Sequence, residues 1–349
     1  MAFDLPAALS DLRTSVQARR NGKKNGGAAG KALILTHDNP DPDSIAAALG
    51  LRKVLETQGL EAVLGLGGII GRAENRAMVR ELKLDLVPLE RLDLSSFAAF
   101  ALVDTQPGTG NNSLPAERKC DIVIDHHPLR ATTPNDIPWR DIRPDVGATA
   151  TIVYSYLREL NIELDSQLTT AFLYALKSET RDLGREAGVE EKEAYVELMA
   201  GADFARLYSI SNPKLGREHF VALDRALRAA VCWGELLAIN VGALDYPDLV
   251  AEVADLMLPY DKARWVLCVG QHKGNVYLSM RTDLTNASAG SLIRRVVGAR
   301  GAAGGHGMVA GGRLFAEVRD DEALKTVFDD LVARLCAELK ITAPPVPLL

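Results

Sequence analysis

The chain has 349 residues, 47% of them hydrophobic and 25% charged, with a formal net charge of −6. That length is a prior for two domains, each with its own core, and the composition is ordinary for a globular protein. The acidic balance argues against a long, sequence-independent grip on nucleic acid, and no apolar run approaches the roughly 20 residues of a membrane span.

Four scattered cysteines, Cys120, Cys232, Cys268 and Cys336, form no CxxC pair. They read as buried thiols of a reducing, cytoplasmic setting, with neither a disulfide frame nor a zinc site. The N-terminus, MAFDLPAALSDLRTSV, is acidic and amphipathic and lacks the basic-then-apolar order of a signal peptide. The segment 18–31, ARRNGKKNGGAAGK, is basic and glycine-rich and predicts a flexible surface loop. ALILT (32–36) is a continuous apolar run, as in a buried parallel strand. Ser44 can cap the helix that follows, with Ile45, Leu49 and Leu55 near one face. Then come a strand at 61–68, a helix at 72–82, a strand at 97–103, a strand at 121–124, and helices at 147–160 and 166–179. This alternation predicts an α/β fold, with a doubly wound parallel sheet in a catalytic domain spanning 1–186.

Residues 187–240 read as a mostly helical linker interrupted by Pro213. Residues 241–349 read as a smaller α/β domain. Its expected elements are a hairpin over 264–282 turning at His272–Asn275, a capped helix at 288–298, a glycine-rich loop within 301–312, a final strand and a helix at 321–340. A Pro-rich tail ends the chain, and no internal repeat is visible.

Three short motifs carry the chemistry: THDNPDPDS (36–44), FALVDTQPG (100–108) and DIVIDHHP (121–128). Each sets an acid or a histidine just after an apolar run, where an open α/β sheet gathers its ligands. The carboxylates would repel one another strongly if nothing neutralised them, and two divalent cations would do so. His37 and Asp41 can bind one ion while Asp43 points towards a second. Asp104 suits a carboxylate bridging two metals about 3.5–4 Å apart. Adjacent histidines on an extended segment diverge, so His126 would be a ligand while His127 faces substrate phosphate. Asp125 would orient an imidazole. The chain therefore reads as a two-metal hydrolase acting on phosphate esters. Two other glycine-rich segments are decoys. In 25–32 a phosphate loop would need glycine where Asn25 stands and Ser or Thr where Ala32 stands; in GLGGIIG (65–71) the last glycine of a dinucleotide fingerprint falls one residue late.

In their order, the three motifs resemble the first three of the DHH phosphoesterase superfamily. That family includes nanoRNases/pAp phosphatases, cyclic-dinucleotide phosphodiesterases, single-strand exonucleases and manganese pyrophosphatases. The resemblance implies a first metal on His37, Asp41 and Asp104, and a second on Asp43, Asp104, His126 and a fourth-motif acid. The matching fourth segment, ALKSET (175–180), supplies Glu179 where the family has Asp, with Asp182 as the nearby substitute. GGHGMVAGG (304–312) resembles the substrate loop of the DHH-associated C-terminal domain. Gly304, Gly305 and His306 are then candidate phosphate contacts, with Arg281 and Arg294 as partners for a terminal phosphate. The implied enzyme is a manganese-dependent phosphoesterase tuned to very short substrates held in an interdomain cleft: oligoribonucleotides of two to five residues, pAp, or linear dinucleotides such as pApA and pGpG. His127, Asp104 and Asp125 would carry its catalysis. The resemblance also suggests a homodimer. The alternatives are an inorganic pyrophosphatase or exopolyphosphatase, and a metal-dependent nucleotide sensor without turnover.

Overall fold

A computed structural model describes residues 3–22 and 30–349, with the side chains of residues 20–22 and 306 outside the description. Two compact units divide at Pro213/Lys214.

In the first unit the elements run α1 (Leu5–Gly22), β1 (Lys31–Leu35), α2 (Pro42–Thr57), β2 (Ala62–Leu66), α3 (Ala73–Glu81), β3 (Val87–Pro88), β4 (Phe97–Val103), β5 (Ile122–Asp125), β6 (Trp139–Ile142), α4 (Thr149–Glu159), α5 (Ser166–Glu179), α6 (Val189–Met199) and α7 (Phe204–Ser211). The six strands are parallel in the order β3-β2-β1-β4-β5-β6. The order reverses between β1 and β4, so the loops leaving those two strands part and open a crevice at their carboxyl ends. β4 is buried along its whole length, as a strand covered on both faces must be. Ile34, Ala99, Ala101, Val103, Ile122 and Ile124 join the helices in the main core, while Leu33, Leu35, Phe100, Leu102 and Val123 form a second cluster. α2 lies so close to α5 that a side chain at Gly50 would meet the Phe172 ring at 2.5 Å.

Several expectations are corrected. The cap of α2 is Asp41, which accepts the Ser44 N–H at 2.9 Å; Ser44 reciprocates from inside the first turn. Residues 18–22 extend α1, and Arg19 forms a paired contact with the buried Asp121 at 2.6 and 2.9 Å. Residues 23–29 of the expected loop lie outside the described residues. The stretch 187–240 is not a single helical linker. α6 and α7 pack against α4, α5 and α3 in the first unit, and its end is a β-hairpin turning at Gly234. A short apolar run suits a buried helix or a buried strand equally well.

In the second unit come α8 (Arg217–Ala229), β7 (Ala230–Trp233), β8 (Leu236–Ala243), α9 (Leu249–Met257), β9 (Trp265–His272), β10 (Asn275–Thr282), α10 (Ala289–Val297), β11 (Gly301–His306), β12 (Val309–Glu317), α11 (Asp321–Leu339) and β13 (Pro345–Pro347). They build one mixed sheet, ordered β11-β12-β10-β9-β8-β7-β13, with β8–β9 parallel. α10 and α11 cover one face; α8 and α9 cover the other. The 264–282 hairpin forms in the expected register. Ser288 precedes α10 but makes no side-chain capping bond. The glycine-rich segment is not a loop: β11 and β12 pair antiparallel, Gly304 opposite Gly311. Close packing needs some of these glycines: a Cβ on Gly305 would lie 2.2 Å from the Val309 carbonyl oxygen, and α10 approaches so closely that a Cβ on its Gly290 would lie 2.0 Å from the Gly305 carbonyl oxygen. All four cysteines are free; Cys120 and Cys268 are buried, whereas Cys232 and Cys336 are half-buried.

Candidate metal centre

Asp104 is the common point of the site. It directly follows β4 with φ 59°, a left-handed conformation that Asp tolerates better than most residues. One carboxylate oxygen, Oδ2, lies 3.5 Å from His37 Nε2, and Asp41 Oδ2 lies 3.6 Å from that same nitrogen. The other, Oδ1, lies 3.6 Å from His126 Nε2 and accepts the Thr149 hydroxyl at 2.9 Å. Two groups of potential ligands therefore share one carboxylate: His37, Asp41 and Asp104, and Asp104, His126 and His127.

The imidazoles of His37 and His126 are both oriented by the backbone. His37 Nδ1 bonds the Asp38 carbonyl at 2.9 Å, and His126 Nδ1 the Val146 carbonyl at 3.2 Å. A ring that donates Nδ1–H to a carbonyl turns Nε2 and its lone pair the other way, here towards Asp104. His127 differs. Its Nδ1 lies 2.8 Å from Asp125 Oδ1, and its N–H donates to the same oxygen at 3.1 Å. Although His127 Nδ1 also lies 3.5 Å from Asp104, the shorter contact commits that nitrogen to Asp125. Of the pair, His126 is therefore the one that turns Nε2 towards Asp104, as expected of a ligand.

Asp43 stands apart from both groups. Its oxygens accept the Thr149 and Ala150 amides at 2.8 Å each, capping α4. A carboxylate has about four lone-pair sites, so Asp43 can serve an ion only while it holds that helix start. Glu179, the last residue of α5, is half-buried, and Arg185 lies 3.3 Å from its Oε1. Its charge acts on both Asp43 and Asp104. Asp182 instead is exposed and engages Lys177 and Tyr195, so of the two candidate acids Glu179 is the one whose charge reaches the cluster.

The electrostatics follow from this convergence. Burial, with the charges of Asp41 and Glu179, holds the Asp43 carboxyl well above the usual carboxylate range. Burial, with Asp43, Asp41, Asp125 and Glu179, does the same to Asp104. Asp41 moves the other way: burial is outweighed by His37 and by the Ser44 hydrogen bonds. Asp125 too is held low, burial being outweighed by His127 and Gln106. Repelling acids beside imidazoles turned inward by carbonyls are the donor set of a divalent-cation site.

The sequence motifs do not single out Thr149, which bonds Asp104 and accepts the His126 N–H at 3.2 Å. Nor do they single out Gln106, whose TQPG context reads as a turn. In the second unit Arg281 is buried, its guanidinium committed to Asp255 at 2.6 Å and Ser279 at 2.7 Å, so it braces β10 instead of reaching for a ligand. Arg294 is exposed on α10 beside Ser291. Gly304 is half-buried on β11, and a Cβ there would meet nothing within 4 Å. Gly305 packs against β12, and the side chain of His306 lies outside the described residues. The start of α10 is not open to an anion at Ala289, whose amide donates to the Gly307 carbonyl at 2.9 Å.

Residues 31–176 match the DHH family, N-terminal domain. The chain is 33% identical over 306 residues to the uncharacterized protein MJ1633 of Methanocaldococcus jannaschii, covering 86% of this chain and 62% of that one. It is 34% identical over 188 residues to a probable manganese-dependent inorganic pyrophosphatase of Deinococcus radiodurans, covering 48% and 58%. The chain thus spans less than two thirds of the length of either relative. A crystal structure of an exopolyphosphatase-related protein from Bacteroides fragilis superposes with a TM-score of 0.68 over 96% of this chain and 98% of that one; at 15% identity the likeness is one of fold.

Proposed function

We propose, from a chain whose residues 31–176 are a DHH family domain, that this protein is a dimetal phosphoesterase, manganese being the natural ion. The observation that carries the reading is Asp104, whose two oxygens face two different histidine-containing groups. His37, Asp41 and Asp104 would hold one ion. Asp104, His126 and Glu179, with Asp43 beside them, would hold the other. Such ions supply a water acidified towards neutral pH and neutralise phosphate charge. The rest belongs to the side chains. Asp104 fixes the separation of the two groups, and Thr149 and the Val146 carbonyl hold His126 in place. Asp125 holds His127 through Nδ1, so the imidazole offers Nε2 to a phosphoryl or leaving-group oxygen. There it stabilises the charge that develops.

For the substrate, we read a short nucleotide: a di- to pentanucleotide, pAp, pApA or pGpG. The composition of the second unit supports this. Many of its arginines are committed to acids: Arg264 to Asp283, Arg281 to Asp255, Arg295 to Glu338 and Arg300 to Asp330. A site for bare pyrophosphate would want more uncommitted cations. Arg294 and the open backbone at Gly304 suit one further phosphate. The second reading, inorganic pyrophosphate or polyphosphate, is favoured by the pyrophosphatase relative.

The deciding experiment offers the purified protein pAp, pApA, pGpG and pyrophosphate with manganese, magnesium or EDTA, and resolves the products. Manganese-dependent mononucleotide release supports the first reading. Phosphate from pyrophosphate alone selects the second, and silence on all of them rejects phosphoester hydrolysis.

A further inference from the structure

We infer that Gln106 is a positioning residue, which joins the loop after β4 to the loop after β5 and fixes the imidazole of His127 through Asp125. The inference rests on the reading above that His127 faces the reacting phosphate.

Gln106 lies two residues beyond Asp104 and is fully buried. A buried primary amide needs acceptors for two N–H bonds and donors for its oxygen. Gln106 finds them all at the end of β5 and on the loop that follows it. Nε2 donates to Asp125 Oδ2 at 2.6 Å and faces the Pro128 and His127 carbonyls at 3.2 and 3.4 Å. Oε1 accepts the Arg130 N–H at 2.9 Å and the Thr133 hydroxyl at 2.7 Å. Acceptors on one side and donors on the other determine which end of the amide is nitrogen. Its own backbone is anchored too: the Gln106 carbonyl accepts from Asn112 Nδ2 at 2.9 Å and Thr109 Oγ1 at 2.7 Å.

The two oxygens of Asp125 therefore have separate tasks. Oδ2 takes the Gln106 amide; Oδ1 takes the ring and the N–H of His127. A carboxylate restrained at one oxygen cannot rotate about its bond to Cβ, so the other oxygen holds the imidazole in one orientation and one tautomer. Without Gln106 the carboxylate gains a rotation and the 126–133 segment loses its tie to the loop that carries Asp104.

The test substitutes Gln106→Met, which keeps the length and removes the hydrogen bonds. Thr133→Val removes only one donor to Gln106 Oε1 and is the milder variant should the first fold poorly. Both are measured alone and with His127→Ala. Partners that orient site residues typically contribute about 10–100-fold. Gln106→Met should lower kcat by about that factor with little change in KM, Thr133→Val by less, and neither should lower it further in the His127→Ala background. A second readout needs no turnover: long-range 1H–15N spectra of the imidazoles in the metal-free protein. His127, assigned by its loss in His127→Ala, should show Nδ1–H as one tautomer in the parent and a mixture in Gln106→Met. An equal loss of kcat with and without His127, or an unchanged His127 spectrum in Gln106→Met, overturns the inference. If the parent cleaves no phosphate substrate the activity reading falls, and the spectra still decide the positioning claim.

Discussion

Asp104 and Asp43 are buried acids that lie within reach of one another's charge and that of other acids, and that has a consequence for stability. Both carboxyls are held above their ordinary range, by burial first and then by neighbouring charge. An acid whose folded pKa exceeds its unfolded value binds more protons when folded, so stability falls as pH rises from the unfolded value, about 3.9 for Asp, through the folded one. Asp41 and Asp125 shift the opposite way, but their contribution is complete once pH exceeds the unfolded value. Chelator-treated protein should therefore melt at a lower temperature at pH 8 than at pH 5.5, and manganese should close the gap. Equal melting temperatures across that range without metal would contradict the convergence of charge. His37, Asp41, Asp104 and His126 could be named as candidates because each stands in a strand-end motif, and Glu179 only through the family resemblance. The cap that Asp43 gives α4, and the bonds of Thr149 and Gln106, were not legible in the sequence. Those depend on which loops the sheet brings side by side.

Among the elements, apart from the short β3 and β6, which were not expected, the strands of the first unit and its helices α2 to α5 follow directly from apolar runs and periodicity, β4 and α5 to the residue. The glycine-rich stretch of the second unit does not. Glycine is a poor strand former by propensity, yet β11 forms because β12 supplies partners along its length and α10 packs too closely for side chains. Gly290→Ala should therefore act as an overpacking substitution against backbone, destabilising the second unit by about 1–3 kcal/mol. Urea unfolding followed by the tryptophans of that unit, Trp233 and Trp265, would measure it. A stability equal to the parent's would mean that α10 and β11 are not in direct contact.

At the scale of the molecule, every candidate metal ligand lies before Pro213, in a unit with its own core and sheet. A fragment of residues 1–213 should bind manganese with an affinity close to that of the full chain while losing discrimination among phosphate substrates. Calorimetry on both tests this, and a fragment that folds but binds no metal would contradict it. The sequence by itself determined the α/β class, most strand and helix positions of the first unit, and which residues are candidates for a metal, because period and residue type are local properties. Only the tertiary structure decided that 187–211 packs on the first unit, that 230–243 is a hairpin, that Arg281 is spent on Asp255, and that Gln106 ties two loops together. Each of these is a contact between residues distant in sequence, and no local pattern encodes which distant partner will satisfy a buried polar group.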